Sequence, residues 1–155
     1  MTALQARSIL DAVAGHALAS GWFERVNRHE PKSKNPATDG VTCSIWVQQL
    51  TPLGAASGLA VTSTRFEVTV RVYTSMLAEP QDEIDPRVLD AVDGLMGAYN
   101  GDFTLGGLVL EVDIFGAYGA PLEAKAGYLN QGGQLYRVLD VRLPLVVADL
   151  WPQAE

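Results

Sequence analysis

The hydrophobic and polar positions change period several times along this chain. Leu10, Val13, Ala14, Ala17, Leu18 and Gly21 recur at helical spacing, which predicts a first helix over 3–20 with Thr2 as N-cap and an end near Gly21. Its stripe is rich in alanine, so the helix can lie close against a sheet. Residues 22–28 read as a short extended piece, and 29–40, HEPKSKNPATDG, as a loop closed by an Asp-Gly turn signal. Alternation then takes over. Val41, Cys43, Ile45 and Val47 share one face of a strand over 41–50, with Trp46 on the other face among Thr42, Ser44 and Gln48. Residues 51–59 read as a loop. The clearest strand is 60–74, where Phe66, Val68, Val70 and Val72 point one way and Arg65, Glu67, Thr69, Arg71 and Tyr73 the other, because strand side chains alternate with period two.

A second helix is predicted from Asp85-Pro86. Asp85 suits an N-cap, Pro86 loses no needed hydrogen bond at the first helical position, and Asn100-Gly101 can supply a left-handed end. Val88, Leu89, Val92, Leu95, Met96 and Tyr99 form its apolar stripe. A further strand is expected over 108–115, then a glycine-rich, turn-like stretch over 116–134 that includes Gly132-Gly133. A last strand is expected over 135–147, with Leu135, Arg137, Leu139, Val141, Leu143 and Leu145 on one face and a surface tail after it. The expected fold is α+β: an antiparallel or mixed sheet with two helices on one face, in the order helix-strand-strand-helix-strand-strand. The 155 residues fit one domain, 1–155.

Composition narrows the function classes. Hydrophobic residues make up 48% and charged residues 19%, a globular balance slightly poor in charge, as in proteins that place much surface against partners. The net charge of −7 lacks the basic footprint of sequence-independent nucleic-acid binding. The lone Cys43 permits no intrachain disulfide. No run approaches the length of a membrane span, and the N-terminal residues lack a signal-peptide core, so synthesis and folding in a cytoplasm are expected.

Candidate chemistry is sparse. His16 and His29 have no neighbour at metal-ligand spacing, and Cys43 sits among apolar strand positions, so no catalytic, cofactor or metal residues are assigned and no enzyme activity is expected. The carboxylates Glu79, Asp82, Glu83, Asp85, Asp90 and Asp93 are dense, but their spacing does not match a calcium loop; charge at a solvated helix start accounts for them. The basic cluster Arg25, Arg28, Lys32 and Lys34 reads equally as a docking arm for an acidic partner or DNA and as a solvated loop. The polar ladder of 60–74 is more specific. Arg and Tyr are enriched at protein interfaces, so Arg65, Arg71 and Tyr73, with Trp46 on the neighbouring strand, are candidates for a subunit or partner interface. Arg28, Lys32, Lys34, Glu79 and Asp82 join them as candidate docking residues of the 29–40 and 75–85 loops and their approaches.

The order of elements and the phrases HEPKSKNP (29–36), SIWVQQL (44–50), RVYTSMLAEPQDEIDP (71–86) and AGYLNQGGQLYRVLDVRLPLVV (126–147) resemble the tail terminator proteins of long-tailed, siphovirus-type bacteriophages, in look those of actinobacterial phages. The resemblance covers nearly the whole chain and rests on overall pattern rather than on an active-site motif. It implies a virion structural protein assembled in the host cytoplasm as a homo-oligomeric, six-fold ring. Such a ring caps the head-proximal end of the tail tube, ends polymerisation of the tube protein and joins the tail to head-tail connector proteins. DNA passes through it without sequence-specific binding, and neither cofactor nor membrane is involved. Alternative readings are another neck component, such as a head-tail connector or stopper, and a small-molecule binding domain, which would need a pocket lined by titratable groups.

Overall fold

The computed structural model describes residues 4–30, 40–54 and 60–153. Two helices, α1 (Ala6–Ser20) and α2 (Ile84–Gly101), alternate with two runs of three strands. The first run is β1 (Arg25–Asn27), β2 (Thr42–Leu53) and β3 (Val61–Ser75). The second is β4 (Glu111–Val112), β5 (Glu123–Gln131) and β6 (Gln134–Pro152). They form one six-stranded sheet in the order β1-β2-β3-β6-β4, with β5 also pairing to β6. The β1–β2 pair is parallel and the others are antiparallel, so the sheet is mixed. The α+β class agrees with the expectation, but the order helix-strand-strand-helix-strand-strand does not: each helix is followed by three strands.

Several boundaries also move, each for a physical reason. The helix expected over 3–20 is described from Ala6, with Gln5 preceding it and no side-chain cap; Thr2 lies outside the described residues. Its end at Gly21 is as expected, with φ 74° in the left-handed region. The α2 helix begins one residue before Asp85, because a 3₁₀ turn over Gln81–Glu83 leads directly into it. Asp85 therefore sits in the first turn, where its carboxylate receives Arg137 at 2.9 Å instead of capping. Asn100 and Gly101 stay helical, and the left-handed residues come later, at Leu105, Gly106 and Gly107. Of the stretch 108–115 only Glu111 and Val112 form ladder pairs with β6; Leu110 and Asp113 also donate to it, to Val146 O at 2.8 Å and Pro144 O at 2.9 Å, while the Val112 N–H turns to Phe103 O at 2.6 Å. Half of the expected turn region 116–134 is strand β5. The Gly132-Gly133 pair, both at positive φ, closes a tight hairpin in which Gln131 faces Gln134. The β6 strand runs on through the expected tail, burying Leu150 to 1% exposure.

Both helices cover the same face of the sheet. Ile9, Val13, Ala14 and Ala17 of α1 and Val88, Ala91, Val92, Leu95 and Tyr99 of α2 join one core with Cys43, Ile45, Phe66, Val68, Val70, Val141, Leu143 and Leu145. The alternation read from the sequence thus assigns the buried face of β3 correctly, and that of β6 at Val141, Leu143 and Leu145; at the start of β6 Leu135 is 43% exposed, whereas Tyr136 and Val138 of the other face are buried. On β2 it holds only to Ile45. A bulge between Val47 and Gln49 shifts the register, and Val47 is 47% exposed.

The two helices are tied to each other by polar contacts. The Tyr99 hydroxyl donates to Val13 O at 3.1 Å. His16 Nε2 lies 2.8 Å from Asp102 Oδ2, joining α1 to the residue that follows α2. The hydrogen bond to His16 and then the Gly106 N–H hold the Asp102 carboxyl below its ordinary range. A carboxyl depressed in the folded state stabilises above its unfolded pKa, and that contribution is lost as pH falls through the folded value. Asp102→Asn is therefore expected to lower the melting temperature slightly at neutral pH. The difference from the parent chain should shrink in acid, as the parent's carboxyl also becomes neutral; thermal melts across that range check it.

Candidate assembly surface

The helix-free face of the sheet carries the polar half of each strand, and register builds it into rows. Ser44, Arg71, Asp140 and Lys125 stand side by side across β2, β3, β6 and β5. Trp46, Thr69, Arg142 and Glu123 form the next row. Arg71 grips Asp140 with two hydrogen bonds, Nε at 2.8 Å and Nη2 at 3.0 Å, and its Cζ lies 5.0 Å from the centre of the Trp46 ring. That pairing raises the Arg71 pKa further, the hydrogen bond to Asp140 being the largest cause. Arg142 reaches Glu123 at 2.5 Å and approaches Glu67 at 3.6 Å. The rows line an open trough of about 490 Å³.

At one end of this face a loop folds over the sheet. Asp113, 3% exposed, accepts the N–H groups of Ala117 at 2.7 Å and Tyr118 at 3.0 Å. Beneath the loop Arg65 donates to Glu67 at 2.8 Å and to the Ala120 carbonyl, and its Nε lies 3.5 Å from Asp113 Oδ2. Gly119 packs so closely that an added Cβ would stand 2.8 Å from Arg65 Cζ. The loop is therefore pinned to the sheet by a buried cluster of charges.

The candidate interface residues fall into distinct environments. Trp46 and Arg71 lie together on the helix-free face, as the alternation implied. Arg65 is on that face too, but is only 7% exposed and directs its guanidinium inward to Glu67, Asp113 and Ala120. Tyr73 is 4% exposed and meets Tyr136 edge to face at 5.6 Å, with Val138 and Leu129 around it. Neither Arg65 nor Tyr73 presents a contact surface in the described chain. Arg28 is exposed and paired with Asp11, while Lys32 and Lys34 lie outside the described residues. Glu79 and Asp82 are exposed before α2; Asp82 shares a shallow depression with Asp85 and Tyr128 of β5.

The sheet also has two open edges that periodicity did not reveal. Among the described residues, the outer side of β2 is paired only at Thr42–Ser44, leaving 46–52 without a neighbouring strand. On the opposite side, β5 pairs only with β6. Tyr128 on this edge is 64% exposed, and its ring stacks under Arg137 at 4.5 Å. The sequence cue for the second edge was the Gly132-Gly133 hairpin signal. Among the described residues no group of three His, Cys, Asp or Glu side chains gathers at metal-binding distance, and no helix is long and apolar enough to cross a membrane.

No protein-family model and no curated protein matches this chain. Among solved structures, the chain is similar at 11% identity and a TM-score of 0.35 to one described as the sheath/tube terminator of an extracellular contractile injection system, PVC, in its extended state. The match covers 100% of this chain and 62% of that one, so the chain spans less than two thirds of that neighbour's length.

Proposed function

We propose that this chain is a structural component of a phage-type tail that assembles into a closed ring on the head-proximal end of the tail tube. There it stops addition of tube subunits and joins the tail to the head connector. The proposal takes its biological setting from the resemblance of sequence pattern over nearly the whole chain. The observation that carries it structurally is the sheet left open at both sides among the described residues. A sheet covered by helices on one face and unpaired at two different edges can continue into a like sheet on either side, and such heterologous contacts close into rings when the rotation permits. The ring would perform no chemistry. One of its ends would match the last ring of the tube, and the other would offer no site for a further tube subunit.

The test is the solution mass of the purified chain, with negative-stain images of the same sample alone and after mixing with tail tubes. Rings with an open channel, and tubes capped at one end, are the expected result. A chain that remains monomeric and leaves tube growth unchanged overturns the proposal. Rings that bind the head connector but leave tube growth unchanged point to another neck component.

A further inference from the structure

We infer that the ring contact is one added strand pair: β5 of one copy lies antiparallel along the 46–52 edge of β2 in the next copy. The inference rests on the ring reading above and specifies its joint. The first reason is the character of the β2 edge. Its residues, WVQQLTP, carry no charge, and Val47 and Leu50 are 47% and 41% exposed. Sheet edges that stay in water are ordinarily guarded by charge, brevity or cover, and among the described residues only Pro52 and the bulge guard this one.

The second reason is that the same chain supplies a complementary edge. The β5 strand, EAKAGYLN over 123–130, is similar in length and, between Glu123, Lys125 and Tyr128, carries small residues at Ala124, Ala126 and Gly127. On the helix side of the sheet, Val47 and Leu50 of one edge thus meet Ala124 and Ala126 of the other. On the helix side, Ala126 borders a groove of about 180 Å³ with Val88, Leu89 and Leu139, into which Val47 or Leu50 of a neighbour can pack.

The third reason is directional. From edge to edge run β2, β3, β6 and β5, each antiparallel to the next, so β2 and β5 point in opposite directions. A copy related by rotation around the ring therefore brings its β2 antiparallel to β5, continuing the alternation of the sheet. The stagger also suits closure. Gln49, in the middle of the β2 edge, stands level with Glu67, whereas Lys125 and Gly127, the residues of β5 on the same face, stand level with Arg71 and Tyr73. A stagger of four or six residues amounts to about 14 or 20 Å along the strands, against about 19 Å across four of them. The strands would then tilt by about 35° or 47° from the ring axis, close to the range of closed barrels.

Paired cysteines test the contact directly, because the native Cys43 is fully buried and burial pushes its thiol up to about 12. Gln49→Cys with Lys125→Cys, and Gln49→Cys with Gly127→Cys, sample neighbouring registers on the helix-free side; a Cβ at Gly127 meets nothing within 4 Å. On oxidation at least one pair should give a disulfide ladder ending at the ring size. Gln49→Cys with Asp90→Cys on exposed α2 should give none. Leu50→Lys, which adds a guarding charge at an exposed position, should leave the unfolding midpoint unchanged and abolish the ring. Rings that form with no ladder from either pair, or that survive Leu50→Lys, overturn the strand pairing and leave the ring reading standing. A chain that neither oligomerises nor forms a ladder overturns both.

Discussion

Asp113→Ala is expected to lower stability by about 3 kcal/mol, the size of effect seen when one partner of a buried ion pair is removed. Asp113 is 3% exposed and the Arg65 side chain 8%, so water does not replace the lost carboxylate. Two loop N–H groups, at Ala117 and Tyr118, lose their acceptor at the same time. Glu67 continues to hold Arg65 at 2.8 Å, which keeps the loss below that of a wholly unpaired charge. Urea unfolding of the single variant should show the full effect. The double variant Arg65→Met/Asp113→Ala should recover part of it, because the guanidinium left without its partner is also gone. If the single variant unfolds at the parent's midpoint, the loop is not held by this cluster. The loop matters beyond stability, because it presents Phe115, 93% exposed, from a backbone that is already fixed.

What could be read from the sequence follows from which forces act locally. The two helices and the buried face of β3 were legible because each exposes one side and buries the other, so periodicity carries the signal. The β5 strand was not, because it is an edge strand with little buried surface. Its residues Ala124, Lys125, Ala126 and Gly127 have low strand propensity and are ordered by pairing with β6, a tertiary effect. The Gly132-Gly133 turn was the available clue. Among site residues, alternation placed Trp46 and Arg71 on the correct face. It could not separate Arg71, which remains partly accessible, from Arg65, which disappears beneath a loop some 50 residues away in sequence. Glycines at 116 and 119 after Asp113 mark that loop, but only the folded contact shows that it closes over Arg65.

Tyr99→Ala is expected to cost about 3–5 kcal/mol, the range for deleting a buried aromatic side chain. Tyr99 is fully buried, packs edge to face on His16 at 5.6 Å and sends its hydroxyl to α1 through Val13 O. Tyr99→Phe keeps the ring and should lose only about 1 kcal/mol, the net worth of one hydrogen bond. The ratio of these losses in denaturant unfolding separates packing from the polar tie between the helices; equal losses would show that the hydroxyl rather than the ring joins them. A domain of this size has only about 5–15 kcal/mol in total, so Tyr99→Ala should also impair assembly simply by depleting the folded chain. Leu50→Lys should do the reverse, preserving the fold while removing the ring. A protein whose main core lies between helices and sheet, with only the Tyr73–Tyr136–Val138 and Arg65–Asp113 clusters buried on the other face, and whose proposed joints lie at the edges, predicts that separation. Folding defects should map to the layer between helices and sheet and to those two smaller clusters, and assembly defects with unchanged stability to the outer edges of β2 and β5.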